Sequence, residues 1–415
     1  MSNTMYIVRS LDETISQRVE SSGAVTSILK CALETGLVDG VVAIKSKNGD
    51  RFSGIPVLIT KPEDLLETTG SLHCSIPNIA RFVKEYLAGG FTQKLAVVGK
   101  PCDIRSIIEL QKRKQIEIDN LYLIGLNCTG TIKPAIARRI FRDEFNVDSN
   151  DVVREDIDGD KLTIYLKNGK SKSLNLLKLE KKGLGRRDNC RRCEIKIPTF
   201  ADIACGKWGT ESEETPSTFI EICSEKGKIL VERAIEKKYI KVEKPTRESI
   251  LLRDETDKIW TDRATEQRAI DFNPIMEMSY SDRLAYWVKE FEKCIKCYGC
   301  RDACPICYCE TCLLEANRDF LEAGVIPPSS LFPLTRLAHV GDSCVNCGQC
   351  QDACPMELPL TKLFTLLNSR LSEVFDYKSG VDLDQGPPLN TANVQELSID
   401  DVFLDVSTLT KRIKK

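Results

Sequence analysis

The sequence predicts an α/β (α+β) domain that contains an antiparallel excursion and is followed by a smaller domain organised around cysteines. Short apolar runs alternate with amphipathic helical patterns over the first half of the chain, which is typical of helices layered on a largely parallel sheet. Residues 151–174 instead alternate in polarity and contain Asp-Gly and Asn-Gly turn pairs, which indicates antiparallel strands. Two similar cysteine runs, CIKCYGCRDACP and CVNCGQCQDACP, follow near the end of the chain.

The elements of the first domain follow from these patterns. Ser22 is a good N-cap for a helix whose apolar residues recur on one face, and Gly36 is its expected stop. Strands are predicted at 41–45, 56–60, 95–99 and 121–126, and helices are expected to start at Pro101 and Pro134. A strand at 218–223 and a helix at 225–234 complete the domain. The charged segment that follows has no clear period and is predicted to be a linker, and a helix at 281–291 leads into the second domain.

Composition narrows the class of protein. The 415 residues carry a net charge of −2 and are 42% hydrophobic, a globular balance that gives no overall attraction for nucleic acid. No apolar run is long enough to span a bilayer, and the N-terminus lacks the layout of a signal peptide, so we expect no membrane span and a cytoplasmic location. In a reducing compartment the 19 cysteines indicate metal binding rather than disulfides.

Both cysteine runs have the spacing C-x2-C-x2-C-x3-C-P, which is the spacing of bacterial two-cluster ferredoxins. In that arrangement three thiolates of a run bind one 4Fe–4S cluster and the fourth crosses to the other cluster. A structural zinc site fits less well, because zinc sites use two pairs of ligands. The sequence therefore predicts one cluster on Cys294, Cys297, Cys300 and Cys354, and another on Cys344, Cys347, Cys350 and Cys304.

Four other thiols are candidates for a third site. Cys102 and Cys128 each follow a predicted strand, at the edge of the sheet where ligands of parallel sheets bind. Cys190 and Cys193 form a C-x2-C pair. Either the four hold a third cluster, or the first two are small core residues and the pair is half of a zinc site.

Three more thiols, Cys307, Cys309 and Cys312, follow the first run directly. They either complete another metal site, with a distant cysteine such as Cys223 or with a partner subunit, or pack against the first cluster. The sequence leaves these alternatives open.

Two features are candidates for binding anionic groups. The helix start at Ser22 and Gly23 can present backbone N–H groups to a phosphate, although most such starts only cap the helix. A basic run either holds a polyanionic cofactor tail, offsets the charge of a thiolate-ligated cluster, or is a solvated face. This run contains Lys181, Lys182, Arg186, Arg187, Arg191 and Arg192. Neither a G-x-G-x-x-G nor a G-x4-G-K-[ST] motif is present.

Five short motifs, in order, resemble those of the coenzyme F420 hydrogenase/dehydrogenase beta-subunit family. They are SSGAVTSILKCALETGLVDGVV at 21–42, GSLHCSIPN at 70–78, GKPCDIRSI at 99–107, GLNC at 125–128, and CRRC at 190–193 followed by ADIACGKWG at 201–209. The resemblance covers about residues 21–223. A family domain followed by a ferredoxin unit looks like the arrangement of the family's formate dehydrogenase members.

This resemblance implies FAD beside a 4Fe–4S cluster in the first domain, and reduction of the substrate coenzyme F420 by hydride from FAD. Carried over by position, it implies that the ligands of that cluster are Cys102, Cys128, Cys190 and Cys193. The positions it places around the flavin are Ser22, Gly23, Thr26, Gly70 and Ser71. Further cofactor-binding candidates are Pro101, Lys181, Arg186 and Arg187. The chain departs from the family pattern at Leu72-His73, where a Lys-Tyr pair is common.

The predicted function is therefore that of an electron-transfer beta subunit with three 4Fe–4S clusters and FAD, which reduces F420. Its expected partner is a catalytic alpha subunit of the molybdopterin formate dehydrogenase type, in a complex that can be larger. The alternatives are a non-catalytic iron–sulfur relay, or a beta subunit of another F420-linked oxidoreductase of the hydrogenase or sulfite reductase type. The predicted domains are an F420/FAD domain at 1–240, a linker at 241–280, a ferredoxin domain at 281–370 and an extended tail at 371–415.

Overall fold

The first domain is built on an eight-stranded mixed sheet, and a separate three-stranded sheet lies beside it. The structure, a computed structural model, describes residues 4–16, 19, 21–88, 92–210, 216–309, 312 and 332–390. The strands are β1 (Thr4–Ser10), β2 (Gly40–Lys47), β3 (Asp50–Ile59), β4 (Leu95–Gly99), β5 (Leu121–Leu126), β6 (Val152–Asp158), β7 (Lys161–Leu166), β8 (Ser171–Asn175), β9 (Ile203–Gly206), β10 (Thr218–Ile222) and β11 (Ile240–Glu243).

The helices of the first domain are α1 (Glu13–Ser16), α2 (Ala24–Glu34), α3 (Ala80–Leu87), α4 (Pro101–Lys112), α5 (Pro134–Arg139), α6 (Leu176–Lys181), α7 (Asp188–Arg191) and α8 (Glu225–Glu236). Those that follow are α9 (Arg247–Met276), α10 (Tyr280–Phe291), α11 (Gly299–Asp302), α12 (Phe332–Val340), α13 (Gln349–Asp352) and α14 (Leu360–Phe375). Short 3-10 turns occur at Pro62–Thr68, Ser149–Asp151 and Pro388–Asn390, and a π turn at Ile140–Glu144. No helix among the described residues is both long and apolar enough to cross a bilayer.

The large sheet has the strand order β11-β1-β10-β9-β5-β4-β2-β3. Only its centre is parallel: β2 pairs with β4, β4 with β5, and β5 with β9. Both flanks are antiparallel, so the prediction of a largely parallel sheet is wrong outside the centre. At one edge the cause is local, because Asn48 and Gly49 both have positive φ and turn β2 tightly back into β3.

Helices cover both faces of this sheet, which confirms the α/β layering. Successive strand residues point to opposite faces. Val41 and Ile124 pack with α2 and α8 on one side, whereas Val42 and Leu123 pack with α3 and α4 on the other. The antiparallel excursion is also confirmed, since β6, β7 and β8 form a meander.

The predicted linker is corrected in its secondary structure. Strand β11 joins the edge of the large sheet by pairing with β1, and α9 is 30 residues long. The sequence pattern does not reveal this helix, because only a narrow stripe of its residues is buried. The stripe includes Trp260, Ala264 and Phe272. Arginines attach the rest of it to the first domain; Arg263, for example, pairs with Asp160.

The predicted helix before the cysteine runs is α10, and the core of this part of the chain joins Ile275 of α9 with α10, α12 and α14. The predicted tail is corrected for residues 371–390. Helix α14 runs on to Phe375, and the chain then packs against α4, where Tyr377 Oη donates to Glu109 Oε1 at 2.5 Å. A fully buried carboxylate such as that of Glu109 needs donors, and this segment supplies them. The remainder of the predicted tail, 391–415, lies outside the described residues.

We expect Gly380→Ala to detach this segment from α4. Gly380 has φ +68°, and a Cβ there would lie 2.3 Å from the Arg105 carbonyl oxygen. The left-handed backbone costs about 1–2 kcal/mol for alanine and the clash about 1–3 kcal/mol more. Gly183→Ala is the matched control, because Gly183 has φ +74° and no neighbour within 4 Å. Urea unfolding should show a larger stability loss for Gly380→Ala, and equal losses would contradict the clash.

Candidate functional site

A cavity of about 340 Å³ opens at the carboxyl ends of the central strands. Its wall includes Gly99 and Lys100 at the end of β4, Cys128 after β5, and Gly206 and Lys207 at the end of β9. This edge is where ligands bind in open α/β sheets, because the loops after parallel strands converge there. The volume lies in the range of small-molecule and cofactor pockets.

The start of α2 forms one wall of the cavity. Gly23 to Thr26 line it, and Gly23 is in the left-handed conformation with φ 74° and no side-chain cap. The predicted N-cap is therefore wrong: Ser22 lies behind the wall and donates from Oγ to the Val8 carbonyl at 2.8 Å. A helix start without a side-chain cap presents its first N–H groups to the cavity, where they suit a phosphate.

The opposite wall is the loop from Thr68 to His73, which includes the predicted residues Gly70 and Ser71. Arg51 fixes this loop by donating to the Ser71 carbonyl at 2.7 Å. Leu72 and His73, the pair at which the chain departs from the family pattern, also line the cavity. The departure from the family pattern therefore changes the surface that a bound molecule would meet.

A charged group on the same wall comes from three separate elements. Asp156 of β6 lies 3.5 Å from His73 Nε2 and accepts from Lys207 Nζ at 2.7 Å. Burial by itself would raise the pKa of Asp156, but His73 and Lys207 hold it well below its usual value. The carboxylate stays ionised and anchors the His73 and Lys207 side chains at the cavity.

Five predicted cofactor-binding residues do not line the cavity: Ser22, Pro101, Lys181, Arg186 and Arg187. Lys181 is exposed on α6. Arg186 is buried, pairs with Glu180 at 2.6 Å, and supports the wall by donating to the Thr129 carbonyl. Because Arg186 and Arg187 are buried and already pair with carboxylates, the basic run does not present a continuous surface to a polyanionic tail.

The predicted third set of thiols lies next to the part of the cavity wall that Lys100 forms. Cys102 is in the first turn of α4, Cys128 follows β5, and Cys190 is in α7. Burial raises the pKa of Cys128 to about 11, and the neighbouring Cys190 thiol adds to this rise. Burial likewise raises the pKa of Cys102, with contributions from Asp103, Cys347 and Cys128. Cys193 is tied to the same turn, with its N–H 3.3 Å from the Cys190 carbonyl.

The thiols of the two cysteine runs lie close enough to one another to affect one another's ionisation. Burial raises the pKa of Cys300 to about 11, and Cys294, Cys354 and Cys297 contribute as neighbours. Cys350 has a raised pKa through burial and through Cys344, Cys347 and Cys304. No three metal-ligating side chains in the described structure are arranged to hold a single metal ion.

The second cysteine run lies against the first domain at the third set. Arg187 Nη2 donates to the Cys347 carbonyl at 2.8 Å, and Asn189 Nδ2 to the Asn346 carbonyl at 3.2 Å. Arg105 of α4 donates to the Val345 carbonyl at 3.1 Å. The first run contacts the first domain elsewhere, at α3, where Arg81 donates to the Asp302 carbonyl, and its Cys297 is exposed. The second run is therefore the one that adjoins the third set, and Cys128 of that set lines the cavity.

Comparison with known proteins gives the family. The model for the N-terminal part of the coenzyme F420 hydrogenase/dehydrogenase beta subunit matches residues 5–81, and the model for its C-terminal part matches residues 92–248. The chain belongs to this beta-subunit family. The resemblance seen in the sequence is therefore confirmed, and the family is one of oxidoreductase subunits.

Relatives within the family include formate dehydrogenase subunits. The chain is 43% identical to the F420-dependent formate dehydrogenase 1 subunit beta of Methanococcus maripaludis, over 94% of this chain and 98% of the relative. It is 45% identical to the corresponding subunit of Methanocaldococcus jannaschii, over 92% and 98%. A chain of the F420-reducing [NiFe] hydrogenase complex from Methanosarcina barkeri shares the fold, with a TM-score of 0.56 and 21% identity over 65% of this chain and 93% of that one.

The sites of this family member fit the groups that the family implies. The side-chain Nε atoms of Arg187 and Arg336 are buried without a hydrogen-bond partner among the described residues, and both arginines face thiols. Unpaired buried donors beside sets of thiols suit clusters whose sulfides accept hydrogen bonds. The uncapped helix start and the cationic side chains at the cavity suit a phosphate-bearing cofactor.

Proposed function

We propose that the chain is the beta subunit of an F420-dependent formate dehydrogenase, which carries electrons through three 4Fe–4S clusters to FAD and reduces F420 by hydride transfer. The observation that carries this proposal is the ordered contact of the thiol sets with the cavity. Cys347 of the second run lies beside Cys102 and Arg187, and Cys128 of the third set lines the cavity wall. The near-complete overlap with formate dehydrogenase subunits supports the choice of complex.

The crossed sets of the two runs would each hold one cluster, and Cys102, Cys128, Cys190 and Cys193 would hold the third. Arg187 bonds the second run to the first domain, so the inner cluster site stays next to the third one. The basic run therefore offsets thiolate charge, which is one of the roles that the sequence leaves open. Burial by itself would lower the pKa of Arg187, but Cys190, Asp352 and Cys347 raise it, which keeps the guanidinium charged.

The cavity would hold FAD and admit F420. When bound, FAD supplies the exchange between single electrons and hydride. The chain's part is to bind and orient: the α2 start faces a phosphate, and Asp156 fixes His73 and Lys207 at the wall. Lys207 and Lys100 also line the wall, where each pairs with an aspartate, Asp156 or Asp103. Their remaining ammonium N–H groups can donate to an anionic ligand such as F420 with its phosphate and glutamates.

The first run would receive electrons from a catalytic alpha subunit of the molybdopterin type. The exposure of Cys297 supports this, because a cluster bound there would be open to a partner. Co-purification under anaerobic conditions would identify this subunit, and a hydrogenase or sulfite-reducing partner instead would revise the choice of complex. A larger electron-transfer complex would add further subunits to the same preparation.

The direct test uses the purified full chain, reconstituted anaerobically with iron, sulfide and FAD. Mixed with reduced F420 and an artificial one-electron acceptor, it should oxidise reduced F420 and reduce the acceptor. A preparation that retains flavin but shows no such reaction would contradict the proposal. A chain that binds iron and sulfide but no flavin would instead be the non-catalytic relay.

A further inference from the structure

Helix α12 belongs to the insertion that separates the two cysteine runs, and it carries one buried arginine to the ferredoxin-type thiols. Arg336 is only 2% exposed. Its Nη1 donates to Cys307 Sγ at 3.4 Å. It also lines a small cavity of about 30 Å³ together with Cys304, Cys344, Cys347 and Cys350.

The guanidinium of Arg336 is surrounded by cysteine side chains, and it interacts electrostatically with Cys304, Cys307 and Cys300. No carboxylate among the described residues pairs with it. Cys300 belongs to the first crossed set and Cys304 to the second, so one guanidinium reaches both sets.

A buried arginine cannot become neutral, because its guanidinium remains protonated in proteins. An unpaired buried cation is strongly destabilising, so Arg336 requires an anionic neighbour. Thiolate-ligated clusters carry negative charge and gain another with each electron. A fixed cation beside them therefore favours the reduced state, in the way that net charge and hydrogen bonds set cluster potentials.

We propose that Arg336 is a positioning residue that serves both ferredoxin-type clusters as a shared counter-charge and raises their reduction potentials. Cys307 is then the sulfur acceptor that anchors the guanidinium and is not a cluster ligand. The inference rests on the cluster binding in the proposed function. It also assigns a role to the insertion, which places a charge at the junction of two electron carriers.

The test compares Arg336→Gln with the parent chain after anaerobic reconstitution, by iron content and by EPR-monitored redox titration. At full iron content, both ferredoxin-type clusters should become harder to reduce by about tenfold, which is about 59 mV for a one-electron couple. Arg370→Gln is the control, because Arg370 lies outside both runs on an exposed face of α14 and pairs with Glu373, and its potentials should stay at the parent values. Unchanged potentials in fully loaded Arg336→Gln would overturn the proposal.

Cys307→Ala gives an independent result if Arg336→Gln loses its clusters. Removing the Sγ acceptor frees Nη1 of Arg336 to donate to the clusters instead, so iron content should stay the same and the potentials should rise. A loss of iron would show that Cys307 is a ligand, and potentials that fail to rise would show that it does not hold the guanidinium; either result overturns the assignment. A parent chain without iron would instead contradict the proposed function itself.

Discussion

Cys190→Ala is expected to lose about four iron atoms per chain, because a 4Fe–4S cluster requires its full set of thiolate ligands. Cys190 lies in the α7 turn, next to Cys128 and to the second cysteine run. Without this cluster, electrons from the ferredoxin-type clusters have no relay to the cavity. Electron flow from formate to F420 in the complete complex should fall at least about 100-fold, since even second-shell changes at metal sites commonly cost 10–100-fold.

Three measurements separate this result from general damage. The EPR signals of the two ferredoxin-type clusters should remain, because their crossed sets do not include Cys190. Bleaching of bound flavin by reduced F420 should also remain, since that half-reaction needs the cavity alone. Cys31→Ala is the matched control: Cys31 is buried in α2, outside all three sets, and its loss should leave the iron content unchanged. Unchanged iron in Cys190→Ala would remove the third cluster from the proposal.

The sequence predicts those parts of the molecule whose pattern is local. The apolar runs of β4 and β5, and the prolines that begin α4 and α5, give these elements close to their observed bounds. The two cysteine runs carry their own spacing, so the crossed sets can be written down without coordinates. The Asn48-Gly49 turn was available in the same way, and it would have shown that β3 returns antiparallel to β2.

What the sequence could not give depends on contacts between distant segments. Asp156 and Lys207 reach the cavity from the small sheet and from the end of β9, and no local spacing relates them to His73. The charged helix α9 is stabilised by pairs such as Arg253 with Glu221, which no helical apolar period reveals. A surface for an anion is one of the roles that the sequence suggests for the basic run. In the fold, however, Arg186 and Arg187 form ion pairs with buried carboxylates, those of Glu180 and Asp352.

Gly23→Ala is expected to weaken flavin binding at least about tenfold, which corresponds to about 1.4 kcal/mol. Gly23 holds φ +74° directly before α2, and a Cβ there would lie 2.5 Å from Ile15 Cγ2. The left-handed conformation is about 1–2 kcal/mol less favourable for alanine than for glycine, so the backbone would tend to leave it. To make room for the Cβ, α1 would also have to move. Either change turns the first N–H groups of α2 away from the cavity, so a phosphate loses its donors.

The other end of the same helix supplies the control. Gly36 follows α2, has φ +65°, and has no neighbour within 4 Å, so Gly36→Ala carries the same backbone strain without the clash or the cavity. Both variants should lose some stability, but only Gly23→Ala should release flavin, as measured by flavin fluorescence during dilution at constant iron content. Equal flavin retention in the two variants would mean that the α2 start does not bind the cofactor. Because α2 carries none of the proposed cluster ligands, loss of flavin with all iron retained would place the flavin site at this helix independently of the clusters.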